Sequence, residues 1–133
     1  MARNASISIT FPKKKILFTG TTTRVHPRGH LWLVNDSSPV TITLTIGTAG
    51  YTFDDGGAGD PTQAFFTGSS PNPNGYSDCN GEFSGLALSA GNTVLTFTSQ
   101  NSNANKYFYQ LNFLDPNGNS VSTTDPIIVN RLV

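Results

Sequence analysis

Three carboxylates in one glycine-rich stretch, Asp54-Asp-Gly-Gly-Ala-Gly-Asp60, are the first residues of this sequence with chemistry in reach. Calcium takes roughly six to eight oxygen ligands, and a flexible loop offers carbonyls beside Asp54, Asp55 and Asp60. Asp78 or Asn80 could complete the shell. The spacing departs from the Asp-x-Asp-x-Asp-Gly calcium loop, so an ordinary acidic turn accounts for the same residues. His26 and His30 flank Pro27 and Gly29, and a turn there would bring the two imidazoles together. They could then hold a metal, or join Arg24 and Arg28 around phosphate or sulfate; a plain polar turn is the alternative. Cys79 stands alone, so it forms no disulfide within the chain, and the nearby Asp78 and Glu82 work against a thiolate. Neither Gly-x-Ser-x-Gly nor any motif-borne Ser, His and acid arrangement is present, and most acids fall in turn sequences. The expectation is a protein without enzymatic activity.

Recognition chemistry is better represented. Trp32, Tyr51, Tyr76 and Tyr107 could stack on sugar rings, and Asn72, Asn74 and Asn80 could bond hydroxyl groups. Trp32, Tyr51, Tyr76, Asn72 and Asn74 are the expected contacts to a carbohydrate or a protein ligand; core filling is the competing use of such rings. Lys13-Lys-Lys15 has only Phe11 and Phe18 nearby as stacking partners. It suits a charged edge strand that discourages sheet-to-sheet aggregation, and no nucleic acid partner is expected.

The 133 residues fit one domain, 1–133, able to bury a core without staples. Charged residues make up 12%, against about 25% in a typical soluble domain. Polarity comes instead from 17 Thr, 13 Ser and 13 Asn. Net charge is zero, so no global field draws the chain to nucleic acid or an anionic membrane. Six of the eight basic residues lie within the first 28 positions, and five of the eight acidic ones between Asp54 and Glu82. That asymmetry lets copies of the chain attract one another, and a homo-oligomer is expected; a scattered solvated surface is the plainer account. No apolar run approaches a membrane span, and the first residues lack an apolar leader, so the default location is cytoplasmic.

The elements that must position these residues are strands. Val40-Thr-Ile-Thr-Leu-Thr-Ile46 alternates apolar and polar residues, and Lys106–Leu114 does so with Tyr107, Tyr109, Leu111 and Phe113 on one side. Further runs at Ala5–Phe11, Ile16–Thr19, Thr21–Val25, His30–Val34, Gln63–Thr67, Glu82–Leu88, Asn92–Thr98, Asn119–Thr123 and Pro126–Leu132 sit between clusters of Gly, Pro, Asn and Asp. His30–Val34 and Val40–Ile46 read as an antiparallel hairpin. Asp60 and Pro61 suit the cap and first position of a short helical turn. The fold class is all-β: one antiparallel two-sheet β-sandwich, Ig-like or cupredoxin-like, of eight or nine short strands. Loop excursions over 47–81 form the expected ligand surface.

The end of the chain, Tyr107-Phe-Tyr-Gln-Leu-Asn-Phe-Leu-Asp-Pro-Asn-Gly118 followed by Asp125-Pro-Ile-Ile-Val-Asn130, resembles the closing hairpin of small bacterial β-sandwich proteins, the inclusion-body type among them. The resemblance implies a sandwich and a bacterial source, and carries no catalytic residue. Cupredoxins are sandwiches of similar length, but their copper needs a His shortly after the Cys, and none follows Cys79. The sequence therefore points to a binding module, with a self-assembling structural protein as the alternative.

Overall fold

The computed structural model describes residues 3–12, 16–20, 24–25, 27–35, 39–89, 91–101, 105–123 and 126–132. Among these the fold is all-β, with one short 3-10 helix at Pro61–Gln63. The strands are β1 (Arg3–Thr10), β2 (Leu17–Gly20), β3 (Arg24–Val25), β4 (Leu31–Asn35), β5 (Val40–Ile46), β6 (Thr52–Phe53), β7 (Phe65–Gly68), β8 (Phe83–Leu88), β9 (Val94–Ser99), β10 (Lys106–Leu114), β11 (Ser120–Ser122) and β12 (Ile127–Leu132). Among the described strands only β6, a two-residue pairing too short to show a period, falls outside the runs that the alternation marked.

The strands form two sheets. One has the order β2-β1-β5-β9-β8; the other runs β11-β10-β12-β4-β3, with β6 and β7 also paired to β10. The sheets are mixed, not purely antiparallel as the pattern suggested. β1 and β5 run parallel, with Ile7 opposite Leu44, and so do β12 and β4, with Ile128 opposite Leu31. The expected hairpin of β4 and β5 does not form. β4 lies between β12 and β3, whereas β5 crosses to the other sheet and lies between β1 and β9. The short link from Asn35 to Val40 is used to change sheets, and a parallel β1–β5 pair becomes possible because the chain visits the second sheet in between. Alternation fixes which face of a strand is buried and is silent on its neighbour.

The buried faces are those the alternation marked. Val40, Ile42, Leu44 and Ile46 on β5 are buried, as are Leu95 and Phe97 on β9 and Tyr107, Tyr109, Leu111 and Phe113 on β10. Rings from the two sheets touch: Phe65 stacks on Phe97 with centroids 4.4 Å apart, and Phe83 meets Tyr107 edge-on at 5.3 Å. Beyond β1, Phe11 meets Phe113 edge-on at 5.1 Å. Offset and edge-to-face geometries of this kind suit the ring quadrupoles and add to simple burial. A second tie is polar: the Tyr109 hydroxyl donates to the Gly29 carbonyl in the turn before β4.

β10 carries pairings on both of its edges. Phe108 lies opposite Ile127 on one side and Gly68 on the other; Phe113 lies opposite Val121 and Phe53. β11 and β12 thus follow one edge of β10, and β6 and β7 follow the other. The 47–81 region is hung on this second edge.

Candidate functional site

The loop from Gly68 to Ser77 leaves β7 and is closed at its base by Thr67. This side chain is 2% exposed although its residue type is polar. Its hydroxyl donates to the Ser77 carbonyl and accepts from the Ser77 N–H at 3.0 Å, while its own N–H donates to the Gly75 carbonyl at 3.0 Å. Between these ties the chain turns through Pro71, Asn72 and Pro73. Asn72 has φ 58°, a left-handed conformation that asparagine tolerates better than most residues. A Cβ on Gly68 would stand 3.6 Å from Pro73, so the loop folds back over its own root.

The result is an open groove of about 410 Å³, bounded by residues 67–77. That volume lies within the ~300–1,000 Å³ of small-molecule sites. None of its residues is charged; hydroxyls, amides, two prolines and the Tyr76 ring line it. Tyr76 is half-buried, with its ring 6.1 Å from that of Phe65, so it is anchored to the core at one face. Burial first, then the nearby Asp78 and Cys79, push the Tyr76 phenol up from its ordinary pKa. It therefore stays a neutral hydroxyl, able to donate or accept, through the physiological range.

Of the five expected ligand contacts, the groove gathers three: Asn72, Asn74 and Tyr76. Tyr51 is elsewhere. It stacks on Phe11 with centroids 3.9 Å apart and planes 3° apart, beside β6. β6 meets β10 at Leu114 and the groove's root meets it at Phe108, six residues away, or ~20 Å along a strand. The Trp32 side chain lies outside the described part; its backbone pairs with Val129, on the far side of β10 from the groove. Tyr107, the further exposed-ring candidate, is buried against Phe83.

The acidic loop is turned inward on its own backbone. Asp54 accepts from the Gly56 N–H at 2.9 Å. Asp55 accepts from Gly57 at 2.8 Å, from Gly59 at 3.1 Å and from the Asn92 amide at 2.8 Å. Asp60 caps the 3-10 helix, taking the Thr62 N–H at 3.0 Å and its hydroxyl at 2.7 Å. These bonds hold Asp55 and Asp60 below the usual carboxylate range, led by Asn92 for the first and the Thr62 hydroxyl for the second. No group of three or more His, Cys, Asp and Glu side chains converges on a metal-sized point among the described residues. His26 and Lys13–Lys15 lie outside the described residues. Cys79 is half-buried, and burial, ahead of Asp78 and Glu82, raises its thiol pKa.

Sequence reasoning missed one buried carboxylate. Glu82 is 4% exposed and accepts from the Ser99 hydroxyl at 2.5 Å and the Asn101 N–H at 3.0 Å. It precedes β8, and strand alternation with the buried Phe83 places it on the outer face; the 99–101 turn closes over it instead. No family model matches the chain, and neither does any curated protein. Among the described residues no helix is long and apolar enough to cross a membrane.

Proposed function

We propose that this chain is a binding module without enzymatic activity, whose 67–77 groove takes a neutral carbohydrate. The observation that carries the reading is the meeting of Tyr76, Asn72 and Asn74 in one uncharged groove. An aromatic ring offers a face to the C–H side of a sugar, and amides and hydroxyls match its hydroxyl groups. The scaffold reads as a two-sheet β-sandwich, Ig-like or cupredoxin-like, a reading supported by the ring contacts of Phe65 with Phe97 and Phe83 with Tyr107. Calcium is not needed in this scheme, because none of Asp54, Asp55 and Asp60 lines the groove. A glycan array with and without chelator tests it. Hits among neutral glycans, unchanged by chelator and lost in Tyr76→Ala, are expected; an array without hits under both conditions refutes it.

A second reading, assembly of copies into a structural particle, is favoured by β8. It ends its sheet, and Phe83-Ser-Gly-Leu-Ala-Leu88 carries neither charge nor proline against strand addition, its one protection being a bulge between Ser84 and Ala87. Sedimentation over a range of concentration and salt decides it, and a strict monomer throughout removes it.

A further inference from the structure

We propose that Asn74–Gly75 is a site of spontaneous covalent modification, cyclisation to a succinimide and hydrolysis to aspartate or isoaspartate, and that this change places a carboxylate in the groove and ends ligand binding. The second half rests on the reading of the groove as a neutral-sugar site. The first half rests on geometry alone.

The chain contains three Asn-Gly pairs: Asn74–Gly75, Asn80–Gly81 and Asn117–Gly118. Glycine after asparagine is the favourable sequence, because no side chain shields the attacking amide or restricts the backbone. In the reaction the Gly nitrogen gives up its proton to solvent base and bonds to the Asn Cγ. The Cγ–Nδ2 bond breaks, and ammonia leaves after regaining a proton from water. Water then opens the ring at either carbonyl. Opening at the main-chain carbonyl leaves the chain running through Cγ and so inserts a methylene into it; opening at the side-chain carbonyl simply leaves Asp. No oxidant or reductant takes part.

Two of the pairs are held against this. The Gly118 N–H donates to the Asp115 carbonyl at 2.9 Å, and the N–H groups of Asn117 and Asn119 both donate to the Asp115 carboxylate at 2.9 Å. The nucleophile is therefore engaged, beside a negative charge that opposes its deprotonation. Asn80–Gly81 is bracketed by Phe83 N–H to Asp78 carbonyl at 3.0 Å and Glu82 N–H to Cys79 carbonyl at 3.4 Å. Asn80 is fixed there at φ 59°, between two carboxylate residues. Asn74–Gly75 differs in its backbone. All three asparagines are exposed and all three glycines have open space where a Cβ would stand, but neither Asn74 nor Gly75 has the left-handed φ of Asn80, Gly81 and Gly118. Among the described residues no hydrogen bond engages the Gly75 N–H, in contrast to that of Gly118. The Gly75 carbonyl is bonded to Thr67, so a methylene inserted just before it would disturb the tie that closes the loop.

The test ages the full chain at mildly alkaline pH and body temperature. Peptide mapping by mass spectrometry and labelling with isoaspartyl methyltransferase follow each pair, while a neutral-glycan panel follows binding. Asn74 is expected to convert several-fold faster than Asn80 and Asn117. Gly75→Ala, which the ordinary φ and open space admit, should slow that conversion several-fold. Aged wild type and Asn74→Asp should lose binding, whereas aged Gly75→Ala should bind as fresh Gly75→Ala does. Conversion at Asn80 or Asn117 as fast as at Asn74 overturns the assignment of the site. Undiminished binding by fully converted protein overturns the switch. If fresh protein binds no glycan, the carbohydrate reading and the switch fall together, and the peptide map still decides the modification.

Discussion

Replacing Thr67 by valine isolates the clasp that shapes the groove. Valine matches the threonine volume and keeps the methyl group, so the fit of β7 beneath the loop changes little. What disappears is one hydroxyl that both donates to the Ser77 carbonyl and accepts from the Ser77 N–H. Each such bond contributes about 1 kcal/mol net. Ser77 is exposed, so its freed groups can turn to water and the added penalty of an unsatisfied buried group is avoided. The expected cost is about 1–2 kcal/mol. For a chain of this size that lowers Tm by roughly 3–8 °C. Denaturant titration should show a lower midpoint with the same m-value, because the surface exposed on unfolding is unchanged. Thr67→Ser is the control: it keeps the oxygen and loses one methyl, about 1 kcal/mol. The two variants are thus similarly destabilised, but only valine releases Ser77 and the adjacent Tyr76. Glycan affinity should fall several-fold in Thr67→Val and hold in Thr67→Ser. Equal binding by both, or a valine variant within about 0.3 kcal/mol of wild type, would refute the clasp.

Phe65 is wholly buried where the rings of Phe97, Phe83, Tyr109 and Tyr76 meet, so Phe65→Ala should cost about 3–5 kcal/mol in equilibrium unfolding. Asp55 and Asp60 are more acidic folded than unfolded, so their contribution is present above the ordinary Asp range and is lost as pH falls through their lowered values. An acid titration of thermal stability should show a decline below about pH 4 that is smaller in Asp55→Asn and Asp60→Asn. Tyr76 and Tyr109 are shifted the other way, chiefly by burial. Their neutral forms contribute stability that is complete below the ordinary Tyr pKa and lost as pH rises through the raised ones. An alkaline absorbance titration should therefore show Tyr76 and Tyr109 ionising late, Tyr109 only with unfolding, and one fewer late group in Tyr76→Phe.

Local structure was legible where the chain alternates. Val40–Ile46 and Lys106–Leu114 are strands with those bounds, and the Asp60–Pro61 signal does start a short helix. These readings need only the pleat and one buried side. Sheet membership was not legible, because Val40–Ile46 has the same alternation whether it pairs with Leu31–Asn35 or with Arg3–Thr10. The parallel pairs join residues far apart in sequence, Ile128 with Leu31 and Ile7 with Leu44. Their register is set by complementarity between whole faces, and no local turn encodes it.

The candidate site was legible in its residue types and not in its grouping. Tyr51 and Tyr76 belong to one glycine-rich stretch, and its length suggests a single surface. β10 decides otherwise. It offers one edge to both β6 and β7, so the stretch is pinned at Leu114 and again at Phe108, ~20 Å apart. The Asp54–Asp60 loop leaves and rejoins that edge at one residue, because the Asp54 N–H donates to the Asn112 carbonyl and the Asn112 N–H donates to the Ala64 carbonyl; a glycine-rich excursion of this kind needs internal ties, and Asp at the head of a turn supplies them. Thr67 could not be recognised as the groove's clasp, since nothing local separates a buried threonine hydroxyl from the solvated ones on β5. Its role follows from the return of Ser77 to its side, a long-range event. The groove at one end of this stretch and a ring stack at the other are then two consequences of a single constraint, the length of the strand that carries both.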